Sequence, residues 1–393
     1  MKVFFVYIFK KYHSKSGSYK GVKRLSNQRI VVKIGSSSLT GSQGGLDHQA
    51  VDFFADEIAS LQHAGYSVLL VTSGAVAAGF REIGYHSRPK LLHEKQAAAS
   101  VGQALLMRDY QQAFARHGIV SGQILLTRSD FNNRKRTGNA TMTIEELLKQ
   151  GVIPIFNEND TVSVDELKFG DNDTLSALVA NLARASQLVI LTDMEGLYSA
   201  DPRHDPTATR YDRIDEITDE IYAVAGGSGS AVGTGGMRSK LDAAKIATRG
   251  GVPVFVGCVR EVGDLKAAID HHGKGTYFAT HVSALSIKKQ WLGFLSTPLG
   301  TLIVDDGAAY ALSRENRSLL PVGIKQVEGQ FHAGDVIEVV NLQREVLGRG
   351  IVNYDHDQLQ LICGLPSSEI STRLGIEDIH RLEAVHRDEW VSL

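Results

Sequence analysis

The sequence has 393 residues, 43% of them hydrophobic and 22% charged, with a formal net charge of −2. These values exclude a collagen-like, low-complexity or broadly basic chain and leave room for two or three globular domains. Its two cysteines, Cys258 and Cys363, lie far apart and outside any C-x-x-C pattern, which argues against a disulfide framework or a metal cluster and fits a reducing, cytoplasmic setting.

The charge is uneven along the chain. Residues 1–29 carry eight Lys/Arg and no Asp/Glu, so the remainder holds 34 basic against 44 acidic residues. The apolar run 3–9 is too short to span a bilayer, and Lys10 and Lys11 follow it at once. Residues 1–28 are therefore expected to be a disordered basic extension outside the fold. No other run suits a membrane span.

From Arg29 onward, short apolar runs alternate with helical patterns. "RIVVKIG" predicts a buried strand, and "HQAVDFFADEIASLQHAG" a helix closed by Gly65. "YSVLLVTSG" is the next strand, a long helix follows from about Leu92 to Phe114, and "GIVSGQILLT" is strand-like. "RKR" at 134–136 reads as a solvated loop and "NATMTIEELLKQG" as a capped helix. Then come "VIPIFNEND" (strand), "DTLSALVANLARA" (helix), "QLVILTD" (strand), "MRSKLDAAKIATRGG" (helix) and "VPVFVG" (strand). This order predicts an α/β domain with a mostly parallel sheet covered by helices on both faces, over residues 29–280. Residues 281–297 read as a linker. Beyond it, "GTLIVDDGAAYAL", "GIKQVEGQFHAGDVIEVVN" and "VLGRGIVNYD" read as short β runs of a small β-rich domain over 298–393.

In such sheets ligands bind at the carboxyl ends of the strands. Polar residues gather there: Lys33 and Gly35, Thr72 and Ser73, Asn157 to Asp160, Thr192 and Asp193. Four clusters point to one shared crevice.

"GTGGMRSK" at 233–240 does not fit the common phosphate loop, because no lysine directly follows a glycine. Its glycines permit positive φ and close approach of a ligand. Arg238 and Lys240 fall in the first turn of the helix that follows, where unpaired N–H groups already make the field positive. Two cations there ask for an anion in front of them, and a polyphosphate would supply it. Lysine is also unusual at the end of a buried strand, as Lys33 is. If both lysines face one crevice, they can neutralise a phosphoryl group in transfer. In "FGDNDTLSA", Asp171, Asn172 and Asp173 exceed what a helix cap needs. A carboxylate there could hold lysines or approach nucleotide-bound Mg²⁺. "FNENDTV" and "VTSGAVAAG" offer an acid, amides and a hydroxyl, a set suited to a small molecule bearing an ammonium and a carboxylate. The histidines show no metal-ligand spacing.

Taken together, "VVKIGSSSLT", "VTSGAVAAG", "NENDTV", "GDND", "LTDMEGLY" with "ADPR", and "GTGGMRSKL" resemble the amino acid kinase family, in order, over about residues 29–280. The stretch "LLPVGI…VEGQFHAGD…GRGIVNYD" looks like a PUA domain. The resemblance implies an open αβα sandwich and ATP-dependent phosphorylation of the γ-carboxylate of L-glutamate to L-glutamyl 5-phosphate, the first step of proline biosynthesis. It implies that Lys33 and Lys240 stabilise the phosphoryl group while Asp173 orients them. Ser73, Asp160 and Asn172 would hold glutamate. Thr192, Asp193, Thr234, Gly235, Gly236, Met237, Arg238, Ser239 and the two lysines would line the ATP site. Mg²⁺ with ATP, a homo-oligomer and feedback inhibition by proline belong to the same expectation. The basic extension and the loop "NNRKRTGNATMT" depart from the family pattern. Kinases of this fold acting on aspartate, carbamate, acetylglutamate or UMP are the nearest rivals, and "NEND" with "GDND" argues against them. RNA binding is unexpected, because residues 294–393 hold eight basic and fifteen acidic residues.

Overall fold

A computed structural model describes residues 28–41, 44–127, 130–131, 134–162, 172–225, 236–280, 292–293, 296, 298–375 and 381–392. The expected basic extension, apart from residue 28, lies outside the described residues, as does most of the expected linker.

The first unit is an eight-stranded sheet. Its strands are β1 (Arg29–Ile34), β2 (Ser67–Val71), β3 (Ser121–Leu126), β4 (Ile153–Glu158), β5 (Gln187–Leu191), β6 (Arg213–Ile214), β7 (Val254–Gly257) and β8 (Gly275–Phe278). Their order is β3-β4-β2-β1-β5-β7-β8-β6. Every pairing is parallel except β7 with β8, so the sheet is mostly parallel as the alternating pattern predicts. The helices are α1 (His48–His63), α2 (Ala75–Gly79), α3 (Leu92–Ala115), α4 (Arg134–Lys149), α5 (Asn172–Leu182), α6 (Asp219–Ala225), α7 (Met237–Arg249) and α8 (Asp264–Ile269).

Successive residues of a strand point to opposite faces, so a strand covered on both sides must be apolar throughout. β1 shows this: Val31 joins the core that holds Leu178 and Ala244, whereas Ile30 and Val32 join the core that holds Phe54 and Tyr110. Helices α5 and α7 thus cover one face, and α1 and α3 the other. This is the open αβα sandwich.

A second sheet has β9 (Gly300–Val304), β10 (Ile324–Gly329), β11 (Val336–Val340), β12 (Val346–Val352) and β13 (Val385–Ser392) in the order β10-β9-β11-β12-β13. Helices α9 (Asp306–Ser313), α10 (His356–Ile362) and α11 (Ser367–Leu374) accompany it. Leu302, Ile337, Leu359, Ile370 and Trp390 share its separate core.

Two expectations need correction. "RKR" opens α4 instead of lying in a loop, five residues ahead of the expected start. Lys and Arg are good helix formers, and Arg136 pairs at 3.0 Å with Asp130 just upstream. The run 306–313 is a helix instead of a strand. The Asp305 side chain accepts the Ala308 N–H at its start, and the alanines that follow favour helix.

Candidate active site

The sheet order sets β4, β2, β1 and β5 side by side, so their carboxyl ends form one continuous rim. Lys33 is the fifth residue of β1, with a parallel neighbour on each side. Asp173 stands in the first turn of α5, where a carboxylate complements the helix dipole. Lys240 stands in the first turn of α7, where an ammonium on its own would be misplaced.

The fold resolves that misplacement by bringing the three together. Lys33 Nζ lies 2.5 Å from Asp173 Oδ1, and Lys240 Nζ lies 3.1 Å from Asp173 Oδ2. The Ser239 hydroxyl donates to the same Oδ2 at 2.9 Å. Lys33, Lys240 and Asp173 are 3%, 7% and 0% exposed. Burying such charges is costly unless they are paired, and here one carboxylate spans both cations. The anion facing Lys240 is therefore first a side chain of the chain itself. Arg238, one residue before Ser239, stays exposed.

Gly236 precedes α7 in an extended conformation, φ −68° and ψ 177°, so it does not use the positive φ that the glycine run suggested. Among the described residues, a Cβ there would meet nothing within 4 Å. Met237 is half-buried. Thr234, Gly235 and Asp171 lie outside the described residues.

Beside this triad, Asn172 ties α5 to two strand ends. Its Nδ2 donates to the Thr72 carbonyl at 2.5 Å and to Asn157 Oδ1 at 2.7 Å, and lies 3.1 Å from the Ser73 Oγ, which can share one of the same two hydrogens. The Ser73 oxygen thus accepts a bond, leaving its O–H to be donated elsewhere. Ser73 is followed by Gly74, whose φ of 103° turns the chain sharply into α2. Asp160 sits half-buried in the turn after β4, on the same rim. Under the rim, the Tyr110 hydroxyl and Thr72 Oγ1 are 3.0 Å apart, and burial raises the Tyr110 pKa well above the ordinary phenol value.

On the other side, Thr192 and Asp193 follow β5. The Thr192 N–H donates to the Gly257 carbonyl at 2.9 Å, and its hydroxyl to Asp193 Oδ1 at 3.1 Å. The Arg260 guanidinium donates to the Asp193 carbonyl at 2.8 Å. Lysines at the centre are thus flanked by an amide and hydroxyl cluster on the β2–β4 side and by a polar turn on the β5–β7 side.

The Amino acid kinase family model matches residues 28–258, and the PUA domain model matches residues 300–374. The chain belongs to the amino acid kinase family. Among curated relatives of this amino acid kinase, "Glutamate 5-kinase" of Geobacillus kaustophilus (strain HTA426) is 48% identical over 370 residues, covering 94% of this chain and 98% of that protein. "Glutamate 5-kinase" of Bacillus cereus (strain ATCC 10987 / NRS 248) is 46% identical, covering 94% of this chain and 100% of that protein. Among solved structures, UMP kinase from Bacillus anthracis aligns with a TM-score of 0.47 at 16% identity, over 66% of this chain and 98% of that one.

Sequence reasoning gave no role to Gln103 on α3 or Tyr110 further along it, and placed Asn157 in the polar "FNENDTV" stretch without assigning it a contact of its own. Asn157 is almost wholly buried, and Tyr110 completely. Asn157 opens the "NENDTV" stretch, whereas Gln103 and Tyr110 carry no motif signal. A buried amide at the end of an apolar strand was the one usable clue.

Proposed function

We propose that this amino acid kinase transfers the γ-phosphoryl group of ATP to the γ-carboxylate of L-glutamate, giving L-glutamyl 5-phosphate and ADP as the first step of proline biosynthesis. The observation that carries the reading is the convergence of Lys33 and Lys240 on the Asp173 carboxylate. A γ-carboxylate oxygen attacks Pγ, a new P–O bond forms, and the bond from Pγ to the ADP oxygen breaks. The attacking carboxylate is already ionised at neutral pH, so no general base is needed. What remains is positioning and neutralisation of charge on the phosphoryl oxygens. Lys33 and Lys240 supply the neutralisation. Asp173 holds their long side chains at fixed separation, which lowers the entropy lost when the transition state forms.

Ser73, Asp160 and Asn172 hold the amino acid: a hydroxyl donor for its α-carboxylate, a carboxylate and an amide oxygen for its ammonium. Thr192 and Asp193, with residues 234–240, line the nucleotide. Both Asp173 oxygens are engaged by ammonium groups, so this carboxylate suits the lysines better than a cation; Mg²⁺ belongs to the substrate, as Mg·ATP. We assign catalysis to a unit over residues 29–280 and place a PUA-like unit at 298–393 beyond a linker at 281–297. Its excess of acidic side chains disfavours RNA. Self-association, inhibition by proline and a cytoplasmic location complete the proposal; among the described residues, no helix is long and apolar enough to cross a membrane.

The test is ATP-dependent formation of γ-glutamyl hydroxamate by the full chain, with and without proline. Turnover of aspartate, and none of glutamate, would overturn the assignment.

A further inference from the structure

A line of side-chain amides runs from the surface of the sheet edge to the substrate end of the crevice. Gln103 Nε2 donates to Gln123 Oε1 at 3.1 Å, Asn157 Nδ2 donates to Gln103 Oε1 at 2.8 Å, and Asn172 Nδ2 donates to Asn157 Oδ1 at 2.7 Å. An amide can ordinarily be turned end for end, exchanging its oxygen and nitrogen. Here two backbone groups forbid it. The Glu158 N–H can only donate, and it donates to Asn157 Oδ1 at 3.0 Å. The Thr72 carbonyl can only accept, and it accepts from Asn172 Nδ2. With Asn157 Oδ1 fixed as acceptor, its Nδ2 must donate, and Gln103 must turn its oxygen inward to receive it. Among the described residues, no donor reaches Asn172 Oδ1, so the last amide of the line ends in a carbonyl oxygen.

That end is chemically selective. A carbonyl oxygen accepts hydrogen bonds and repels a carboxylate, so it suits an ammonium; the reversed amide would present an NH₂ group and suit an acid. We propose that Gln103 is a positioning residue which, by accepting from Asn157 Nδ2, anchors the Asn157 side chain and so the place of the Asn172 amide, whose orientation the backbone sets with its oxygen toward the substrate ammonium, and thereby favours an amino diacid over the same diacid lacking the amine. The inference rests on the glutamate kinase reading above. Gln103 is only half-buried on α3, and its hydrogen bonds go to Gln123 and Asn157, whereas Lys33 and Lys240 pair with Asp173. Its effect therefore belongs to amino-acid recognition and spares phosphoryl transfer.

The variants are Gln103→Met, which keeps the length but removes the acceptor, and Gln103→Glu, which keeps an acceptor for Asn157 and removes the donor to Gln123. Full-length proteins are assayed with L-glutamate and with glutarate, which lacks the amine, while ATP is varied separately and thermal midpoints are recorded. We expect Gln103→Met to raise KM for glutamate by about tenfold, the loss expected for one buried hydrogen bond. The glutamate-to-glutarate ratio of kcat/KM should fall by about the same factor, with kcat and KM for ATP within about twofold. Gln103→Glu should restore KM and the ratio to within about threefold of the parent. The inference is overturned if Gln103→Met leaves KM and the ratio unmoved. It is also overturned if both variants lose activity alike, or if KM for ATP shifts in step with a lowered thermal midpoint. A parent protein that does not phosphorylate glutamate at all would sink the underlying reading instead, before any variant is compared.

Discussion

The Lys33 ammonium lies 2.5 Å from Asp173 Oδ1, and almost none of either side chain reaches solvent. β1 and α5 are separated by more than 130 residues of chain, so this contact exists only in the folded sheet. It joins the last polar residue of a central strand to the first turn of a helix on the neighbouring layer. A second cation, from α7, closes on the other oxygen of the same carboxylate. Stability and chemistry are coupled at this point, and substitutions separate them.

Asp173→Ala leaves two buried ammonium groups without this carboxylate. Breaking a buried ion pair by removing one member costs about 3–5 kcal/mol. The variant should unfold at markedly lower urea and show no measurable turnover. Lys240→Met removes one cation while leaving Asp173 paired with Lys33, so its structural penalty should be smaller. Its kcat should nonetheless fall by about 10²–10³, the typical loss of one preorganised electrostatic contact to the transition state. Equal losses of stability and kcat in both variants would contradict this separation.

α2 and α3 cross at two glycines. A Cβ on Gly102 would lie 1.8 Å from the Ala75 carbonyl oxygen, and one on Gly79 would lie 2.0 Å from that of Ala98. Because backbone lies on both sides, neither clash can be relieved by turning a side chain. Gly102→Ala should destabilise by about 1–3 kcal/mol. It should also raise KM for the amino-acid substrate, since α2 begins two residues after Ser73. Gly138, inside α4, meets nothing within 4 Å, so Gly138→Ala should stabilise by about 0.5–1 kcal/mol. Matched urea titrations of the two variants check the sign.

Lys33 and Lys240 were legible in the sequence because each breaks a local rule, and Asp173 because it belongs to a run of three polar residues that exceeds what a helix cap needs. A lysine in an apolar strand and a lysine at a helix N-terminus are unfavourable alone, and such conflicts collect at functional sites. The alternating strands and helices were legible because burial on both faces leaves continuous apolar runs, as in β1, β2 and β5. Gln103 was not legible. A glutamine in the middle of a long helix looks like any solvated residue, and its partner Asn157 is 54 residues away. The start of α4 was missed because a run of three cations reads as surface. Helix α9 was missed because its flanking strands set the texture of the stretch.

In the second unit, Asp305 caps α9. The Ala308 N–H holds its carboxyl below the usual carboxylate range, assisted by the Lys325 ammonium 3.0 Å away. Because the folded pKa is depressed, the charge contributes stability above the unfolded value of about 3.9. That contribution is lost as pH falls through the folded value. Asn caps helices about as well as Asp, so Asp305→Asn isolates the charge. Its deficit against the parent should be present at neutral pH and vanish in strong acid. Asp305→Ala should cost about 1 kcal/mol more broadly, through the lost cap. Amide hydrogen exchange within α9, followed across pH, reads both.

Glu57 is buried on α1, yet its bonds reach across to α8: Oε1 accepts the Gly263 N–H at 2.9 Å and Oε2 the Leu265 N–H at 3.1 Å. Helix α8 has no capping side chain of its own at Gly263, so a carboxylate from another helix takes that place. Removing it orphans two N–H groups, at about 1–3 kcal/mol each for a lost partner in a buried setting. Glu57→Ala should therefore destabilise by about 2–6 kcal/mol. Glu57→Gln, which keeps one acceptor oxygen, should lose about half as much. The effect reaches the end of the crevice proposed above for the nucleotide, because the segment leading into α8 carries Arg260, whose guanidinium grips the Asp193 carbonyl. Glu57→Ala should thus raise KM for ATP while sparing KM for the amino acid, the reverse of the Gln103→Met pattern. A glutamate-specific loss in Glu57→Ala would show that the two ends of the crevice are not supported by separate parts of the fold.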